Sequence, residues 1–203
     1  MTEYRDPLIS KAKWNLRHQQ RSMPVSPCSV LQDHRHLLPS AGRALDIACG
    51  LGGNAVLLAQ SGLSCDAMDI SDIAVSRLNT YAQGQSLAIS ASSVDIETEE
   101  FTIAAEQYDV IVVSYFLYRP LFPVIAAALK PGGLLFYQTF VSTADRLQHG
   151  PKTPDFYLQE RELLSQFKEL EIQYYHESEN TNRAKPSVEA ALVARKPSSR
   201  ISI

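Results

Sequence analysis

From Arg43 onward the chain alternates short apolar runs with longer stretches of helical spacing. Ala44 to Ala48, Leu63 to Met68, Ser86 to Ala91, Tyr108 to Ser114 and Leu134 to Phe140 read as strands. Between them, Asn54 to Gln60, Ile73 to Gln83 and Leu121 to Lys130 place apolar residues at helical intervals. These stretches are closed by Gly62, Gly84 and Pro131-Gly132-Gly133. The run Val110-Ile111-Val112-Val113 has no polar break, which predicts burial on both faces, as in a parallel sheet covered by helices. Leu158 to Phe167 predicts a last helix. Leu170 to His176 and Val188 to Ala194 predict two final strands joined by a polar turn, Glu177 to Pro186. A short polar connection suits a hairpin better than a crossover, so this closing pair is expected to be antiparallel.

The first part of the chain is polar with apolar islands. Leu8 to Gln20 predicts a short helix carrying Ile9, Trp14 and Leu16. Pro24 and Pro27 break the chain and favour extended residues before them. Val30 to Leu38 predicts a second short helix, stopped by Pro39. The alternation that follows predicts an α/β fold, an open and mostly parallel sheet with helices on both faces. The expected organisation is an N-terminal helical segment over residues 1–40, one α/β domain over 41–197 and a disordered tail over 198–203.

Composition narrows the function classes. A length of 203 residues allows one domain. The charge balance, 19 basic against 22 acidic residues, gives no general pull toward nucleic acid or an anionic membrane. Cys28, Cys49 and Cys65 are too few and too scattered for a disulfide framework, and no C-x-x-C pair is present. The first residues are polar and do not read as a signal peptide. The apolar runs fall short of the ~18–20 residues that span a bilayer. The expectation is a reduced, cytoplasmic protein, monomeric or homodimeric.

The informative segment is Leu45-Asp46-Ile47-Ala48-Cys49-Gly50-Leu51-Gly52-Gly53-Asn54-Ala55, between the first strand and the helix after it. Ligands of open α/β sheets bind at such strand ends. Glycines there let the backbone turn tightly and let a ligand approach it, and a helix N-terminus favours a negative group. Alone, the turn also fits the dinucleotide pattern G-x-G-x-x-G/A, or a connector without a ligand. Asp46 argues against a pyrophosphate and suits a ligand with an ammonium or sulfonium group. Asp69 ends the second strand, where an acidic residue takes ribose hydroxyls. The capping role falls to Ser71 or Asp72. Asp95 and Ile96 follow the third strand and suit an adenine, although Asp95 also opens an acidic run that reads as a solvated loop.

These residues resemble the class I S-adenosylmethionine-dependent methyltransferases. Asp46-x-Ala48-x-Gly50-x-Gly52 resembles the family's D/E-x-G-x-G-x-G, with Ala48 in place of the first glycine. Tyr108 to Ile111 and Leu129 to Gly133 are similar to its fourth strand and the turn before its fifth. The chain is most similar to small bacterial enzymes of the tellurite-resistance (TehB-like) type. The resemblance implies a Rossmann-like sheet of seven strands in the order 3-2-1-4-5-7-6, with the last strand antiparallel. It implies S-adenosylmethionine as cofactor and S-adenosylhomocysteine as product. Asp46 would sit near the methionine ammonium, and Ala48, Cys49, Gly50, Gly52 and Asn54 would hold the methionine end. Asp69 and Ile70 would take the ribose, and Asp95 and Ile96 the adenine. Ser114 and Tyr115 would lie near the methyl. Trp14 and Arg17 would belong to an N-terminal lid, Arg17 reaching the methionine carboxylate; packing of Trp14 and a solvated Arg17 remain equal alternatives.

The acceptor would be a small molecule: a thiol, an oxyanion such as tellurite or selenite, or a hydroxyl. Tyr115, Phe116, Tyr118, Arg119 and Phe140 are the substrate-contact candidates. His149, in the long loop Val141 to Phe156, is the first candidate general base, with an ordinary surface histidine as the alternative, and Tyr115 is the second catalytic candidate. Tyr115 and Tyr118 also fit a packing role, and Arg119 fits either an anionic substrate or a carboxylate partner. Ser114-Tyr115-Phe116-Leu117 lacks the Asn/Asp-Pro-Pro-Tyr/Phe sequence of base-amine methyltransferases. His34-x-His36 has no third ligand nearby, so no metal is expected. The competing classes are a macromolecular methyltransferase, a non-catalytic binding domain and a nicotinamide-dependent oxidoreductase. Asp46 and the lack of a Tyr-x-x-x-Lys pair disfavour the last.

Overall fold

The computed structural model describes residues 6–142, 153–180 and 187–198. Its centre is a seven-stranded sheet in the order β3-β2-β1-β4-β5-β7-β6. The strands are β1 (Arg43–Ile47), β2 (Ser64–Asp69), β3 (Ile89–Ser93), β4 (Tyr108–Ser114), β5 (Leu129–Phe140), β6 (Glu171–Asn180) and β7 (Ser187–Arg195). The first five run parallel, and β7 is antiparallel to both β5 and β6. The helices are α1 (Pro7–Gln19), α2 (Ser29–Asp33), α3 (Gly53–Gln60), α4 (Asp72–Gly84), α5 (Leu121–Ala128) and α6 (Glu162–Gln166). This is the Rossmann-like order that the family resemblance implies.

Both faces of the central strands are covered. One cluster joins Leu45, Ile47, Ile111 and Val113 to Phe122, Tyr137 and Phe167. The other joins Ala44, Val110, Val112 and Phe136 to Leu58, Leu78 and Leu31. Alternate residues of β1 and β4 therefore feed opposite clusters, which is why their runs show no polar face.

Several boundaries move for local reasons. The chain at Ser86 turns through φ 52 and closes α4, so β3 starts at Ile89. Leu129 is already extended and pairs with Tyr108, which ends α5 before Lys130. Leu158 pairs with Val141, and Arg161 turns through φ 58, which leaves only a short α6. His34 departs from helical geometry and splits the second predicted helix into α2 and a 3-10 turn, Arg35–Leu37. Strand β6 runs on through Glu177 to Asn180, into the span predicted as a turn. No helix among the described residues is long and apolar enough to cross a membrane.

Candidate active site

A cavity of about 1270 Å³ opens at the carboxyl ends of β1, β2, β4 and β5. Its floor is the turn after β1. Ala48, Gly50 and Gly52 all take positive φ, at 54°, 52° and 77°. Ala48 carries the strain of that geometry with a side chain, of order 1–2 kcal/mol. A Cβ at Gly52 would stand 2.4 Å from Leu78 Cδ1, so the turn packs directly on α4. The Asp69 carboxylate holds the turn from beside it. It accepts from Gly50 N at 2.7 Å and from Ser71 N at 2.8 Å. It is 7% exposed and lines the cavity. Ser71 caps α4, accepting from Ala74 N at 3.1 Å.

Asp46 lies behind this floor, fully buried. It accepts from Asn54 Nδ2 at 3.2 Å and Ala55 N at 3.1 Å. Burial pushes its carboxyl up to about 7, against these hydrogen bonds and assisted by the charge of Asp69. Asn54 is the junction. Its Oδ1 accepts from Cys28 N at 2.9 Å, and its Nδ2 also donates to Ser114 Oγ at 2.9 Å. One side chain thus ties α3 to the N-terminal segment and to the end of β4.

The N-terminal segment forms the roof. Helix α1 docks on the start of α4 through Lys11 and Asn15 to Asp72, both at 2.8 Å, and through Ser71 Oγ to Asn15 Oδ1 at 2.7 Å. Trp14, Arg17, His18 and Arg21 then line the cavity. His18 is 5% exposed, stacks on Trp14 and lies against Gly50. Its Nδ1 has no hydrogen-bond partner among the described residues. Burial lowers its pKa, partly opposed by Asp69.

The far wall is aromatic with one polar patch. Tyr115, Phe116, Phe140, Phe156 and Tyr157 line it. Tyr115 takes φ 55, which turns the chain out of β4 at the sheet's end. Behind it Gln138 and Glu189 are buried and hydrogen-bonded to each other and to the Tyr115 hydroxyl.

Most of the predicted residues meet in this cavity. Trp14 and Arg17 line the roof, and Ala48, Cys49, Gly50, Asn54, Asp69 and Ile70 the floor. Asp95 and Ile96 stand at one end, and Ser114, Tyr115, Phe116 and Phe140 at the other. Four do not line it. Asp46 is sealed behind the floor and reaches the cavity only through Asn54. Gly52 faces Leu78. Tyr118 packs against the core cluster around Phe122. Arg119 is held by Glu162, at 2.7 and 2.9 Å, and by the carbonyls of Asp155 and Tyr157. This pairing, the carboxylate partner that the sequence left open, lifts the Arg119 pKa and fastens the wall. His149 lies outside the described residues. His18, Gln138, Thr139 and Glu189 were missed. The legible signal for Gln138 and Glu189 is a polar residue inside an otherwise apolar strand. Among the described residues no three His, Cys, Asp or Glu side chains group as metal ligands.

Comparison with known proteins places the fold and turn in a class. The chain belongs to the methyltransferase-domain family, which it matches over residues 17–177, and it is similar to class I, S-adenosylmethionine-dependent proteins of the TehB-like kind. It is 29% identical over 187 residues to a probable S-adenosyl-L-methionine-dependent methyltransferase, TehB, of Haemophilus influenzae, covering 85% of this chain and 58% of that protein. It is 29% identical over 168 residues to hemagglutinin 1 of Eikenella corrodens, covering 79% of this chain and 54% of that one. The chain thus spans little more than half the length of these relatives. The solved TehB structure from H. influenzae superposes with a TM-score of 0.73 at 21% identity, over 91% of this chain and 67% of that one. A [4+2]-cyclase, SpnF, shares the fold with a TM-score of 0.65 at 19% identity, over 83% of this chain and 78% of that one. The fold alone therefore does not name the reaction.

Proposed function

We propose that the chain binds S-adenosylmethionine in this cavity and directs its methyl group to a small-molecule nucleophile. The observation that carries the reading is Asp69. Its two oxygens are fixed by the amides of Gly50 and Ser71, yet the carboxylate stays on the cavity wall. A carboxylate so braced presents its remaining lone pairs to a pair of vicinal hydroxyls. Asp95 and Ile96 stand on the adenine side of it. Arg17 and Arg21 line the same cavity and supply donors for an amino-acid carboxylate. This donor set fits a nucleoside with a zwitterionic tail. A dinucleotide would add a pyrophosphate.

The methyl donor supplies a carbon already activated on a sulfonium. The chain's part is to hold the acceptor in line with the breaking bond and to exclude water. Positioning of this kind contributes up to ~7–11 kcal/mol in favourable cases. Ser114, tied to Asn54, and Tyr115 stand at the end of β4 to do this. The acceptor classes are a thiol, an oxyanion such as tellurite or selenite, or a hydroxyl. Calorimetric titration of the purified chain tests the reading. Adenosylhomocysteine is expected to bind with 1:1 stoichiometry and NADH not at all; the reverse preference overturns it.

A further inference from the structure

The aromatic wall is built for more than the methyl donor. The cavity, at about 1270 Å³, exceeds the ~300–1,000 Å³ of a usual small-ligand site, which leaves room for an organic acceptor beside a nucleoside. The rings of Tyr115, Phe140 and Tyr157 follow one another at centroid distances of 5.5 and 6.1 Å. Such a surface takes a flat apolar ring, edge-on or offset.

Its polar patch has a direction. Tyr115 and Ser187 line the cavity; Glu189, 5% exposed, sits behind them. Ser187 Oγ donates to Glu189 Oε1 at 2.9 Å, and Tyr115 Oη lies 3.2 Å from Oε2. Gln138 Nε2 donates to Glu189 Oε2 at 2.7 Å and to Tyr115 Oη at 3.0 Å. The amide cannot turn round, because Gln138 Oε1 accepts from Val30 N at 2.9 Å and Ser29 Oγ at 3.1 Å. With the amide donating to it, the Tyr115 hydroxyl points its own hydrogen at Glu189.

Resting on the methyl-transfer reading, we infer that the acceptor is a ring-bearing hydroxyl compound, a phenol by class, and that Glu189 receives its proton through Tyr115. The acceptor oxygen forms a bond to the methyl carbon as the carbon–sulfur bond breaks and its electron pair stays on sulfur. The acceptor's hydroxyl proton passes to Tyr115 Oη, and the Tyr115 proton passes to Glu189. Glu189 acts only through Tyr115 and is a positioning residue. A thiolate would leave the network unused. An ammonium would need the carboxylate on the wall itself.

The test uses the full chain with adenosylhomocysteine and 4-nitrophenol, whose phenolate is yellow and whose neutral form is not. Wild type is expected to bind the neutral form and to hold back the colour change to higher pH than in buffer. Glu189→Gln and Tyr115→Phe are expected to release that shift. With S-adenosylmethionine supplied at a pH low enough that the free probe is still neutral, Glu189→Gln is expected to lower kcat by about 100-fold or more while KM changes far less. Tyr115→Phe keeps the ring packing and carries the test if Glu189→Gln does not fold. Methylation of selenite or 2-mercaptoethanol without binding of the phenol overturns the inference alone. So do variants that leave both the probe's spectrum and kcat as in wild type. Failure of wild type to bind adenosylhomocysteine removes the methyl-transfer reading, and this inference falls with it.

Discussion

Two aspartates, Asp46 in β1 and Asp69 at the end of β2, illustrate how placement divides labour between like side chains. Asp69 faces the cavity and braces it; Asp46 is sealed and braces only the chain. Replacing Asp69 by Ala is expected to weaken adenosylhomocysteine binding by at least ~1 kcal/mol, from lost charge-assisted hydrogen bonds. Asp69→Asn is expected to cost nearly as much, since its amide hydrogens would meet the Gly50 or Ser71 N–H. Calorimetry with folded variants checks both. Asp46 carries a pH signature. Its carboxyl, raised from 3.8 to about 7, keeps its proton longer in the folded chain than in the unfolded one. That contribution to stability is complete below 3.8 and is lost as the pH climbs to about 7. Asp46→Asn is therefore expected to flatten the fall in urea stability between those limits. Equal slopes for wild type and variant would refute the assignment.

At the scale of elements, the roof and the far wall hang on few contacts. A Cβ at Gly53 would meet the Ser26 carbonyl oxygen at 2.5 Å, a backbone atom with nowhere to yield. Gly53→Ala is expected to lift the segment around Ser26 and cost about 1–3 kcal/mol in urea unfolding. Arg119 fastens Asp155 and Tyr157 to Glu162. Glu162, although burial pushes its carboxyl up, is held below the ordinary carboxylate range by Arg119 and the Gln159 amide. Arg119→Ala is expected to cost about 2 kcal/mol, and Arg119→Lys to recover only part, because an ammonium cannot reproduce the two-pronged bond. Every strand was legible from apolar runs, whereas the sheet order was legible only through the family resemblance that the glycine turn carries. The ends of α5, α6 and β6 were not, because strand pairing by Leu129, Leu158 and Glu177 overrode local spacing. The site's floor was legible because a turn demands particular residues. The Gln138–Glu189 pair was not, because it joins positions 51 residues apart on adjacent strands.

The whole molecule joins a rigid sheet to a roof held by side-chain bonds at the start of α4. Lys13, Arg17 and Arg21 all stand on that roof, and a ligand beneath it would hold it down. Trypsin cleavage at these residues is expected to slow severalfold with adenosylhomocysteine and to be unaffected by NADH. Mass mapping of the first cuts decides the matter; protection by neither ligand removes the roof's role. The far wall has a different kind of independence. Val141 and Leu158 are bridged, Ser142 N donates to the Leu158 carbonyl at 2.8 Å, and Leu158 N to that of Phe140 at 2.9 Å. Phe156 and Tyr157 stand on the wall directly before this clasp. Selection can rewrite such wall residues without disturbing the register of the sheet, so on the proposed reading acceptor preference is free to diverge among descendants that keep an identical grip on the methyl donor.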